Sequence, residues 1–309
     1  MMTSIRGRIW FFLISFFRKR MEGPDGSLLK VTTSKNSFSN SKYWKRYKNF
    51  NISEKLFNSI KVIEFDLKNK NNKNIILYLH GGGYVTCGPE THSTLVTQLS
   101  EYSGVKTLFP VYRLAPKYPF PAAIEDCLMV YKELLKKGIN SKNISLIGDS
   151  AGGGLVMALL QILQREKIDQ PSSAVLISPW TDLTLSGGSI ISRANRDPMI
   201  KPGKDVDEVI KAYLGNEDPK NPLISPIYSE TFTVPPMQIY VGTEEILYDD
   251  SIRIFEKLSK DENNNLELKI YDGMFHVFNI FCRGLLTIPE AKKANRDIAD
   301  FILENYPKK

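Results

Sequence analysis

From about residue 60 onward the chain alternates short apolar, β-branched runs with longer amphipathic stretches, and this alternation leaves few folds open. The strand candidates are residues 75–79, 107–112, 144–147, 174–177, 237–241 and 266–270, each bounded by Gly, Pro, Asn or charged residues. Helical patterns near 92–102, 122–137, 151–166, 249–260 and 290–305 lie between them, with Ile252, Phe255 and Leu258 at helical spacing. The pattern predicts an α/β fold with a mostly parallel central sheet flanked by helices. No period of 20 to 50 residues runs through the 309 residues, which excludes solenoids and propellers.

One stretch interrupts the rhythm. Residues 183–226 carry Gly, Pro and Asp-Pro turn signals and a short helical pattern at 206–214, and read as an insertion, not a second domain. Together with residues 1–50 this segment is expected to cover the mouth of the sheet, leaving 51–309 as the main domain. The net charge of +7 is unevenly placed: residues 1–74 hold 16 Lys/Arg against 5 Asp/Glu, and the remainder is net negative. The lysines of that quarter alternate with Asn and Ser without a recognition motif, so a solvated basic surface is expected and a nucleic-acid partner is not.

Residues 9–17 read IWFFLISFF, with Arg6 and Arg8 before them and Arg18, Lys19 and Arg20 after. A spanning helix needs about 20 apolar residues, and no small-residue cleavage site follows, as a signal peptide would require. Two readings remain: a helix that packs onto the protein, which is favoured, and an interfacial membrane anchor formed by residues 5–20.

Cys87, Cys127 and Cys282 are too few and too scattered for a disulfide framework, which suggests a reducing, cytoplasmic setting. His80, His92 and His276 form no HExxH and no close cluster with carboxylates, so neither a metal nor another cofactor is expected.

Gly148-Asp149-Ser150-Ala151-Gly152 forms a GxSxG between an apolar strand and a helical stretch. By chance alone such a motif arises in roughly one chain in ten of this size, so its context carries the weight. A serine on a tight strand-to-helix turn is lifted out of the sheet and faces the helix N-terminus. Its hydroxyl needs a base to take its proton. His80 and His92 lie far up the chain, whereas His276 follows the last strand, at the sheet edge to which the serine also belongs. If the order is serine, acid, histidine, the acid lies between them: Glu244, at the exit of strand 237–241, is the expected residue. Asp249 is its main competitor, Glu245 and Asp272 weaker ones. Gly81, Gly82 and Gly83 after a strand, with the N–H of Ala151, are candidates for an oxyanion hole.

These residues stand in a series of motifs: HGGGY (80–84), YRLAP (112–116), PFPAAIED (119–126), GDSAGG (148–153), SPWTDL (178–183) and GMFHVF (273–278). In this order they resemble the hormone-sensitive-lipase-like esterases, α/β-hydrolases of the HGGG and GDSAGG type, from about residue 60 to the C-terminus. The resemblance implies an α/β-hydrolase fold with a helical cap, a nucleophile at Ser150 and a base at His276. It also implies an oxyanion hole at Gly82, Gly83 and Ala151 shaped by Gly81, with His80 and Asp149 in support. The cap it implies combines N-terminal helices with the insertion near 183–226. The family usually has Asp at the place taken here to be Glu244. The implied activity is hydrolysis of short to medium acyl carboxylic esters through an acyl-enzyme. The alternatives are a non-catalytic ligand-binding protein on the same fold and a membrane-associated lipase or deacetylase. The partner is a small-molecule ester, and a homodimer is left open.

Overall fold

The computed structural model describes residues 4–21, 44–70 and 72–308. Eight strands make one sheet: β1 (Phe50–Phe57), β2 (Ile60–Leu67), β3 (Ile75–Leu79), β4 (Lys106–Pro110), β5 (Ile144–Asp149), β6 (Ser173–Ile177), β7 (Met237–Gly242) and β8 (Leu266–Tyr271). Their order is β1-β2-β4-β3-β5-β6-β7-β8, antiparallel at β1/β2 and β2/β4 and parallel elsewhere. This is the α/β-hydrolase arrangement of a mixed, mostly parallel sheet between helices. The six expected strands are present, with ends within two residues of those read from the sequence.

The central strands are apolar without interruption because both of their faces are covered. Every residue of β3, β5, β6 and β7 is buried. Alternate side chains enter two separate cores. Leu77, Leu79, Leu146 and Leu176 point to the face covered by helices α3 (Ala122–Lys136), α4 (Ala151–Arg165) and α7 (Tyr248–Leu258). Ile76, Tyr78, Ile147 and Ile177 point to the face covered by α2 (Pro89–Ser103) and α8 (Pro289–Asn305). The edge strand β8 has no fully buried residue.

The β1/β2 hairpin was not anticipated from the sequence. Its outer strand, FNISEKLF, buries only its two ends, so it lacks the apolar run by which the inner strands are recognised. Asn58, at φ 53°, makes the turn, and Lys55–Glu64 (2.7 Å) and Lys61–Glu54 (3.0 Å) pair across the strands. Such charges on an outer strand oppose pairing with another sheet.

The insertion forms two helices, α5 (Ser189–Ser192) and α6 (Lys204–Leu214). At the other end of the chain, α1 (Ile5–Met21) packs beside the segment leading into α8. The Trp10 and Phe281 rings are 4.5 Å apart, and both the backbone N–H and the hydroxyl of Ser4 donate to the Glu290 carboxylate. Of residues 1–50, expected as part of a cap, residues 1–3 and 22–43 lie outside the described residues.

The path of the chain decides where a site can form. From β3 it moves outward to β4 and then returns to β5 on the other side of β3, so the carboxyl ends of β3 and β5 flank a topological switch point. There α4 approaches β3 closely: a methyl group at Gly152 would collide with the carbonyl oxygens of Leu79 and His80. Gly152→Ala is therefore expected to destabilise the fold by about 1–3 kcal/mol, the cost of overpacking a close contact. The check is a urea unfolding midpoint, which should fall with an unchanged slope.

Candidate active site

Ser150 stands between β5 and α4 with φ 52° and ψ −122°, a conformation that costs a non-glycine residue about 1–3 kcal/mol. The backbone around it holds it there. Its N–H donates to Ile177 O (2.8 Å), and its carbonyl accepts from Gly153 N (2.9 Å) and Trp180 N (2.9 Å). The turn points Oγ away from the sheet, to a position 2.9 Å from Nε2 of His276. His276 comes from the loop after β8 and is itself buried.

The carboxylate on the other side of His276 belongs to Glu245, not to Glu244. Nδ1 of His276 lies 3.1 Å from Glu245 Oε2. Glu245 is fully buried, and its Oε1 accepts from Gly242 N (2.6 Å) and Ser178 Oγ (2.8 Å). Ser178 Oγ in turn accepts from Val277 N (3.1 Å), which fastens the histidine loop to the exit of β6. The preceding residue, Glu244, turns outward and meets Arg196 at 2.7 Å. Two adjacent glutamates leave β7, and the direction each side chain takes depends on the loop they enter; no sequence pattern separates them. The other candidates serve elsewhere. Asp249 accepts from Ser189 N (2.8 Å) and fastens α5, while Asp272 is met by Thr243 Oγ1 at 3.3 Å near the surface.

The glycine turn is anchored by the residue before the serine. Asp149 Oδ1 accepts from Gly81 N (3.0 Å) and Tyr78 OH (2.7 Å), and Oδ2 lies 3.1 Å from His92 Nε2. Gly81 was grouped with the oxyanion donors, but its N–H is committed to Asp149, so this residue fixes the loop. Gly82 and Gly83 follow at φ 109° and 62°, and among the described residues their N–H groups and that of Ala151 meet no acceptor in the protein. His80 is stacked between Phe109 and Tyr112 and donates from Nδ1 to Gly81 O (2.6 Å). Burial, with His92 nearby, pushes its pKa down to about 3, so it is neutral and holds the loop by hydrogen bonding.

Residues 76–280 match the family of the alpha/beta hydrolase fold. Among curated proteins, an acetyl-hydrolase of Streptomyces hygroscopicus is 37% identical over 219 residues, 71% of this chain and 72% of its own. Among solved structures, EstE5 soaked with ethyl alcohol superposes with a TM-score of 0.87 at 32% identity, covering 98% of this chain and 99% of its own. An esterase from the bacterial hormone-sensitive lipase family has a TM-score of 0.86 at 30% identity, covering 99% and 100%. The chain belongs to the α/β-hydrolases, in the hormone-sensitive-lipase-like esterase group. It is a serine hydrolase of the carboxylesterase and lipase type, acting on carboxylic esters through an acyl-enzyme.

In this esterase the insertion reaches the site from above. Tyr213 of α6 stacks on Tyr84 with ring centroids 3.7 Å apart, and Val209 lies against Gly83. The insertion also supplies Asp197, which the sequence reading passed over as part of an Asp-Pro turn. Its buried carboxylate accepts from Met199 N (2.8 Å), Ile200 N (3.1 Å) and Ile246 N (3.0 Å), so it grips the residue that follows Glu245. Burial pushes Asp197 up to about 6, against the pull of His276 and those N–H donors. Among the described residues, no group of three or more His, Cys, Asp or Glu side chains is placed to hold a metal ion.

Burial alone would lower the pKa of His276, but the hydrogen bond and charge of Glu245, with Asp197 and Asp149 behind, outweigh it and hold the imidazole above its ordinary value of 6.5. An NMR titration of the His276 ring is expected to give a midpoint above 6.5. In Glu245→Gln the midpoint should fall, because the carboxylate charge is lost while burial remains. A wild-type midpoint below that value would contradict this balance.

Proposed function

We propose that Ser150, His276 and Glu245 are the catalytic triad of this esterase, and that the N–H groups of Gly82, Gly83 and Ala151 receive the oxyanion. One observation carries the reading: the His276 ring lies between Ser150 Oγ at 2.9 Å and the Glu245 carboxylate at 3.1 Å. With Nδ1–H donating to the carboxylate, Nε2 is left as the acceptor for the serine proton.

Ser150 Oγ attacks the acyl carbonyl while His276 Nε2 takes its proton. The tetrahedral oxyanion is met by preorganised N–H donors; removing one such donor typically costs a factor of about 10²–10³ in kcat, or about 3–4 kcal/mol. Collapse breaks the bond to the alcohol, which leaves with the proton from His276, and the acyl group stays on Ser150. Water then gives a proton to the same nitrogen and attacks the acyl-enzyme. The acid departs and Ser150 recovers its proton. Glu245 holds the tautomer and offsets the imidazolium charge throughout.

The substrates in this reading are esters of short to medium acyl chains. The α6 side chains packed on the glycine turn support a confined acyl site, as do relatives named acetyl-hydrolase and, from Pseudomonas putida, ethyl acetate hydrolase. The segments forming the cap are residues 183–226 with part of 1–50. Three free thiols, two of them buried, support a cytoplasmic setting.

The test is hydrolysis of a p-nitrophenyl ester series. Ser150→Ala should lower kcat by about 10⁴-fold or more, and Glu245→Gln by about 10²–10⁴-fold. Glu244→Gln should change it by less than about threefold, as expected for an outward-facing ion pair. Turnover should fall as the acyl chain lengthens. Collapse in Glu244→Gln but not in Glu245→Gln would overturn the acid assignment. Turnover that rises with acyl length would overturn the short-to-medium acyl preference.

A further inference from the structure

Helix α1 is apolar on two sides. On the inner side Gly7 is buried, and Trp10, Phe11 and Ile14 pack onto the core formed by α2, α8 and the loop before α8. Trp10 Nε1 donates to Leu286 O at 2.5 Å, and Arg6 reaches Thr287 O at 3.5 Å. These contacts fix how the helix is turned. The opposite side then presents Ile5, Ile9 and Phe12, spaced four and three residues apart along one stripe, with Ile5 77% and Phe12 70% exposed. Leu285, 92% exposed, stands in the loop to which Trp10 is bonded, next to this helix.

The charged residues of α1 are all basic. Arg6, Arg8, Arg18, Lys19 and Arg20 belong to α1, which has no Asp or Glu. An apolar stripe on a helix whose charges are all cationic matches the interface of an anionic bilayer, where the chains take up Ile and Phe side chains and the headgroups pair with Arg and Lys. A second copy of the chain fits less well, since joining two such faces would bring two cationic helices together with no carboxylate on either. Spanning is not at issue: among the described residues no helix is long and apolar enough to cross a membrane.

We propose that the outer face of α1, with Leu285, is a docking surface that seats this protein on anionic lipid. The helix lies in the plane of the interface, with Ile5, Ile9, Phe12 and Leu285 entering the acyl boundary and the exposed Arg8 at the headgroups. The inner face keeps its contacts with the body, so docking requires no unfolding.

Flotation of the full-length protein with lipid vesicles tests this. Vesicles of phosphatidylcholine containing about one-third phosphatidylglycerol should carry the protein upward, and pure phosphatidylcholine should not. Raising the salt should release it, because the headgroup attraction is screened. Ile5→Ser with Phe12→Ser, and separately Leu285→Ser, should weaken partitioning by about tenfold or more, and Arg8→Gln should weaken the preference for anionic lipid. These side chains are exposed, so circular dichroism and melting temperature should match wild type and serve as the folding control. The proposal is overturned if the wild type stays at the bottom of the gradient with anionic vesicles, or if folded serine variants float as well as wild type. A concentration-dependent dimer in light scattering, lost in Ile5→Ser with Phe12→Ser, would assign the face to a second copy instead.

Discussion

The buried carboxylate of Glu245 joins three parts of the chain. A carboxylate removed from water is costly unless its oxygens are met by donors. Here they are met by the N–H of Gly242 at the end of β7, the hydroxyl of Ser178 at the end of β6 and the imidazole of His276 beyond β8. Satisfying that one group therefore aligns the exits of three strands. Ser178 passes the constraint on by accepting from Val277 N, and Asp197 adds a grip on Ile246 from the insertion. The position of His276, and with it the partner of Ser150, follows from this network.

A second buried carboxylate works on the opposite side of the serine. Asp149 directs one oxygen to Gly81 N and Tyr78 OH and the other to His92, so the strand that carries Ser150 also fixes the glycine turn. Donors and nucleophile are thus registered against each other through adjacent residues of one chain segment. The cost of the left-handed backbone at Ser150 is offset by four backbone hydrogen bonds and by the close packing of α4 on β3. Such preorganisation lets N–H groups stabilise a developing charge without reorganising at the moment of reaction.

Much of this was legible in the sequence because it depends on local chemistry. Continuous apolar runs mark strands that are buried on both faces, and Gly-x-Ser-x-Gly after such a run marks the turn at Ser150. With only three histidines in the chain, position after the last strand was enough to single out His276. The β1/β2 hairpin escaped because β1, an edge strand exposed to water, has no apolar run to show, and the run of β2 is broken by Lys61, Glu64 and Asp66. Gly81 was placed among the donors because a row of three glycines does not reveal which N–H is already taken.

The glutamate pair gives the sharpest division between the two sources. The sequence by itself determined that a carboxylate would leave the end of β7, since strand, turn and helix signals place Thr243-Glu244-Glu245 at that exit. It also determined six of the eight strands, the nucleophile turn and the apolar, cationic character of α1. Only the tertiary structure decided that Glu245 turns inward to His276 while Glu244 pairs with Arg196, and which side of α1 is covered. The reason is physical: periodicity tells direction within a helix or strand, but in an irregular loop or on a helix with apolar residues on two sides, direction is set by the partners that distant segments bring.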